Sequence, residues 1–145
     1  MYPFKMDASK DSSIWMAAKM QEIPPKQQVA KIRDARDATK NIFSNRDDNV
    51  DNTFCYDLFE NGLLNESLLR ELLQDMQLIV ALEEARLEER RTINWICLCV
   101  LRSFTSHFDP ADRYKIKNLD DGMYSRWSGE YFEILRDVVS NNLVG

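Results

Sequence analysis

Apolar positions recur at helical spacing along most of the chain, and no alternating run is bounded by the Asn-Gly or Asp-Gly turns of a β-hairpin. The first stripe is Ile14, Ala17, Ala18 and Met20, with Trp15 beside it and Asp11, Ser12 or Ser13 as a cap, which predicts a helix over 12–23. Pro24-Pro25 stops it, because a residue before proline is pushed out of the α region. Pro25 then suits the first turn of a second helix, 26–44, whose apolar face is sparse: Val29, Ile32, Ala35, Ile42 and Phe43. This pair reads as a helical hairpin with little of its own to bury. Residues 45–52 (NRDDNVDN) are rich in charge and Asn, and read as a polar linker.

The pattern is denser beyond it. Residues 54–60 predict a short helix ended by Asn61-Gly62. Asn65 is placed to cap the next helix, with Glu66 in its first turn. Leu68, Leu69, Leu72, Leu73, Met76, Ile79, Val80 and Leu82 then follow a helical stripe. The charged run 83–91 (EEARLEERR) carries Glu and Arg three or four apart, which supports a solvated helix that either runs unbroken into the next or bends near 90–92, the bend favoured because over 40 residues is long for a globular helix. Residues 93–108 are apolar nearly all round, the mark of a central helix. Asp109, Pro110 and Asp112 read as a new helix start, 117–122 as a loop, and Ser128 as the cap of a last helix over 129–140.

These elements imply an all-α fold. About five helices form a bundle around a central apolar helix, preceded by an N-terminal helical hairpin. The domains would be 1–44 as an interaction segment, 45–52 as linker and 53–145 as core.

Charge narrows the function. The chain has 19 Lys and Arg against 24 Asp and Glu. Its first fifty residues are mildly basic and the next fifty strongly acidic, an arrangement that disfavours direct contact with a nucleic-acid backbone across the whole surface. A narrower nucleic-acid reading would use Lys19, Lys26, Lys31, Arg33, Arg36 and Lys40. Three cysteines, Cys55, Cys97 and Cys99, make no disulfide framework and suit a reducing, intracellular compartment, nuclear or cytoplasmic. The longest apolar stretch, 96–101, falls far short of the roughly 20 residues of a membrane span, and residues 1–12 lack the apolar core of a secretory signal.

Little in the sequence points to catalysis, a metal or a cofactor. His107, the single histidine, stands at the end of the apolar helix, where a capping role near the last carbonyls is the simple account. Cys97 and Cys99 would diverge by about 200° on a helix, and no second Cys/His pair exists to complete a tetrahedral site. The acidic run 47–52 lacks the central Gly and the closing Glu of a calcium loop. Trp15 is different in kind. It lies outside the expected core, beside Ile14, Met16 and Met20, on a helix too thin to bury it, and so suggests a surface that docks on something.

Residues 13–43 resemble the BESS motif, a pair of short helices found in insect chromatin-associated proteins. The matching features are Trp15 at the aromatic position, apolar Ala18, Met20 and Ile23, the Pro24-Pro25 break, and Gln27-Gln28 followed by Ala30-Lys31. Asp34, Arg36 and Asp37 stand where the family carries part of an aliphatic stripe. The resemblance implies a nuclear, chromatin-associated adaptor that self-associates or contacts other proteins, with Trp15, Met20 and Ile23 at the contact. The apolar stripe of the hairpin adds Ile14, Ala18, Val29 and Ile32 to the expected partner-facing surface. The helix order of 53–145, with Asn94-Trp95 opening the apolar helix, resembles the helical bundle of apoptosis regulators, cellular and viral. Ile96 and Cys97 replace the Gly-Arg of that family's signature. This second resemblance, which extends to viral immune modulators, implies a regulator of apoptosis or immune signalling that binds a partner helix in a groove. The amphipathic helix 66–82 either lines such a groove or simply packs its leucines on 93–104, and core packing is the simpler account.

The expectation is therefore a non-enzymatic interaction or oligomerisation module without cofactor, an intracellular adaptor or regulator whose partner is a protein, itself as a homodimer included.

Overall fold

A computed structural model describes residues 33–142. Among the described residues all regular structure is helical. The helices are α1 (Ala35–Arg46), α2 (Phe54–Asn61), α3 (Glu66–Val80) and α4 (Leu87–Phe108). A last helix starts as α5 (Asp121–Arg126), passes through a π-helical turn (Trp127–Tyr131) and continues as α6 (Phe132–Asn142). The all-α bundle expected from periodicity is what the chain adopts. No helix among the described residues is long and apolar enough to cross a membrane.

Local chemistry sets most boundaries. Asp34, Thr53, Asn65 and Asp120 each turn a side-chain oxygen back onto an amide of the first turn of α1, α2, α3 and α5, at 2.8–3.2 Å. At the start of α4 the Glu89 carboxylate accepts the Arg86 N–H at 2.8 Å. Gly62 ends α2 in the left-handed region (φ 64°), and a Cβ there would meet the Lys115 carbonyl oxygen at 2.5 Å.

The core runs through the whole described unit. Leu69, Leu72, Leu73, Met76 and Ile79 of α3 face inward together with Ile93, Ile96, Cys97 and Val100 of α4. Both α3 and α4 pack on α1 and on α6. Phe104 stacks on Trp127 with ring centroids 4.1 Å apart and planes 9° apart.

A buried polar network ties α1 to α3. Asp75 is 0% exposed. Arg33 clamps both of its oxygens, Nε to Oδ1 at 3.1 Å and a terminal nitrogen to Oδ2 at 2.8 Å. Asn41 donates to Oδ2 at 2.9 Å. The chain of bonds continues through Asn45, whose Oδ1 accepts the Cys55 N–H of α2 at 2.9 Å.

Five boundaries differ from the sequence reading, each for an identifiable reason. The expected division placed 1–44 outside the core, yet Arg33–Gly145 forms one compact unit, with Ala38 and Ile42 of α1 fully buried. Sparse apolar content misled here, because the Arg33–Asp75–Asn41 network supplies the rest of that interface. The helix expected over 26–44 does not run through Arg33 and Asp34, since Asp34 is extended (φ −97°, ψ 175°) and caps a fresh start.

The junction of α3 and α4 lies at 81–86, not at 90–92. Residue Glu89 restarts the helix there, and Arg90 donates to the Leu82 carbonyl at 3.1 Å across the turn. Asp109 and Asp112 start no helix; each instead accepts the amide two residues ahead, at 2.9 Å, in turns that compete with a helical cap. The last helix begins at Asp121, and Ser128 lies inside it.

Candidate functional site

Helix α4 is 22 residues long, about 33 Å. Its inner face is the core. Its outer face is the surface feature that burial does not account for. Leu87, Leu98 and Phe108 are 63, 68 and 59% exposed. They lie along one side of the helix at positions reached by steps of four and three, with Arg91, Asn94, the half-buried Leu101 and Thr105 between them. This face corrects the expectation of a central helix covered all round.

The ridge ends in an aromatic corner. The rings of Phe108 and Tyr124 lie 5.5 Å apart at 78°, edge to face. The His107 ring meets Phe108 at 4.7 Å and 89°. Together with Leu119, Asp120 and Asp121 they line a shallow groove of about 260 Å³.

Groups capable of acid–base chemistry are engaged in holding the fold. Nδ1 of His107 accepts the Ile116 N–H at 2.9 Å. Burial, and then the Lys115 ammonium, hold this imidazole below its ordinary range, in the neutral form the bond requires. So His107 ties the 109–120 loop to α4 as an acceptor, where the sequence suggested a donor to helix carbonyls.

Glu66 takes Arg126 at 2.7 Å and the Tyr131 hydroxyl, and the Arg126 bond leads in holding its carboxyl below the usual range. For Glu89, burial pushes the carboxyl up, and the Thr39 hydroxyl at 2.6 Å with the Arg86 amide outweigh it, leaving it low. All buried side-chain nitrogens and oxygens among the described residues have a partner.

The cysteines divide by depth. Desolvation pushes the Cys97 thiol up to about 12, and Cys55 is raised further. Cys99 is half-buried on the flank of α4. No group of three or more metal-ligating side chains occurs among the described residues.

The predicted contact residues Ile14, Trp15, Ala18, Met20, Ile23, Val29 and Ile32 lie outside the described residues. Of the two readings of 66–82, core packing is what the structure has: Leu69, Leu72, Leu73 and Met76 are buried, and no groove opens between them. Asn94, half of the Asn-Trp pair, accepts from Asn142 at 2.8 Å and joins α4 to the end of α6. Its neighbour Trp95 lies beneath the Arg46 guanidinium at 5.2 Å and against Phe59. Leu87, Leu98, Phe108 and Tyr124 were missed as surface residues. The spacing was present in the sequence, but in a segment apolar on every side it does not say which side is left open.

Comparison with protein families, with curated proteins and with solved structures finds no match to this chain.

Proposed function

We propose that the protein is a non-enzymatic interaction and oligomerisation module, an intracellular adaptor or regulator whose ligand is another protein or a second copy of itself. The observation that carries this reading is the outer face of α4: three large apolar side chains on one side of the longest helix, left in water. Spending apolar surface this way costs solubility, roughly 25 cal/mol for each Å² left uncovered, unless a partner covers it. The occupied state of Glu66, Glu89 and His107 supports the same reading, since a general acid or base must be available to a substrate. A second contact through Trp15, Met20 and Ile23, and a nuclear, chromatin-associated setting, follow from the BESS resemblance of 13–43.

Light scattering of the full chain across a concentration series tests this, with Leu98→Asp and Trp15→Ala beside it. A dimer that either variant weakens supports the reading and says which surface is used. A monomer at every concentration, whose neighbours in a cellular proximity-labelling experiment are unchanged by both variants, overturns it.

A further inference from the structure

Resting on the interaction reading, we propose that the groove between Phe108 and Tyr124 receives the cationic side chain, Lys or Arg, of a basic segment on a protein partner. Two aromatic rings at 78° and 5.5 Å make two walls of a corner, with both side chains substantially exposed, 59 and 42%. An aromatic face attracts a cation through its quadrupole, and two faces from different directions do so without demanding one orientation. Leu119 lines the same groove and offers apolar surface to the aliphatic stem of a long basic side chain.

The charges at the mouth select the sign of the guest. Asp120 and Asp121 both line the groove. One Asp120 oxygen accepts the Met123 N–H at 2.8 Å, and the residue is exposed. Asp121 makes no ion pair among the described residues. The nearby cations have their main partners elsewhere, with Asp120 a weaker charged neighbour of Arg126. Lys115 donates to the carbonyls of Asp109 and Asp112 at 3.2 and 3.0 Å. Arg126 is held by Glu66 at 2.7 Å. His107 spends Nδ1 as an acceptor and is neutral. An anionic guest would meet two carboxylates, and an apolar guest would strip water from them without compensation. A cation meets aromatic faces and negative charge together.

The test is an amide chemical-shift titration of the isotopically labelled full chain. The ligand is a blocked tripeptide, Ala-Lys-Ala, its Arg analogue beside it, and its isosteric norleucine analogue as the neutral control. The Lys and Arg peptides are expected to give saturable shifts confined to 107–108 and 119–124, weakening as salt rises. Tyr124→Ala and Phe108→Ala should each weaken binding about three- to tenfold. Because removing a ring could disturb the corner, Asp121→Asn serves as a second variant: it should weaken the charged peptides and flatten their salt dependence. Absence of saturable shifts overturns the proposal. So does norleucine peptide binding as tightly as lysine, which would make the groove a plain apolar pocket. Either failure leaves the outer face of α4 to be judged separately, by light scattering of Leu98→Asp.

Discussion

Both faces of α4 carry large apolar side chains, but the outer ones stand among Arg91, Arg102 and Thr105 while the inner ones are covered. Ile93, Ile96, Cys97 and Val100 turn inward and meet α1, α2 and α6. Leu87, Leu98 and Phe108 turn outward and meet water. Hydrophobicity alone therefore does not mark the core of this protein. Being covered does, and cover depends on where the neighbouring helices sit. The inner face carries stability, and the outer face is available for a partner.

The sharpest way to break that comparison is to shorten one residue of each face. Ile96→Ala leaves a cavity under a fully buried side chain and should cost about 2–5 kcal/mol in chemical denaturation. Should Leu98→Ala cost as much, the division of faces is wrong, because an exposed leucine truncated in water should change stability by no more than about 0.5 kcal/mol.

Glu89 comes next. Glu89→Ala strips the partner from the Thr39 hydroxyl and from the Arg86 amide, and should cost about 1–3 kcal/mol. Its carboxyl is held low in the folded state, so its contribution is present above the unfolded value near 4.3 and is lost as pH falls through the folded one. A denaturation series across that window should show the wild type converging on the variant.

His107 should matter less, about 1 kcal/mol for His107→Ala. The folded imidazole is depressed, so the neutral form that accepts the Ile116 amide contributes above about pH 6.5 and is lost as pH falls through the folded value. The protection of the Ile116 amide against exchange, measured by NMR relative to its intrinsic rate at each pH, should fall over that window more than its neighbours' does. Unchanged protection would mean that the loop is held without His107.

The smallest perturbation is chemical and leaves stability alone. Cys97 and Cys99 are two residues apart on α4, one buried with its thiol pushed up to about 12, the other on the half-exposed flank. Alkylation of the native protein should modify Cys99 first, with Cys97 waiting on opening of the core. Equal rates would show that the inner face of α4 is open to solvent.

The helices legible in the sequence are those whose signals are local. The Asn65 cap, the Gly62 stop and the stripe from Leu69 to Val80 all act within a turn or two, and the structure has them where the pattern says. The misreadings have one cause. Asp109 and Asp112 look like caps, but their carboxylates close tight turns while Ile116 is pinned to His107, two helical turns back, and Tyr114 to the Leu58 carbonyl, far away in sequence. Likewise α1 looks too polar for a core helix, because the pairing of Arg33 and Asn41 with Asp75 is not visible from either end.

By itself, then, the sequence determined the helical class, the caps of α2 and α3 and the apolar stripe of α3, since backbone hydrogen bonding and periodicity act over a few residues. Only the tertiary structure decided that α1 belongs to the core and which side of α4 stays open. Both depend on contacts between residues more than about thirty apart, where a buried carboxylate finds its arginine and a helix face finds a neighbour or does not.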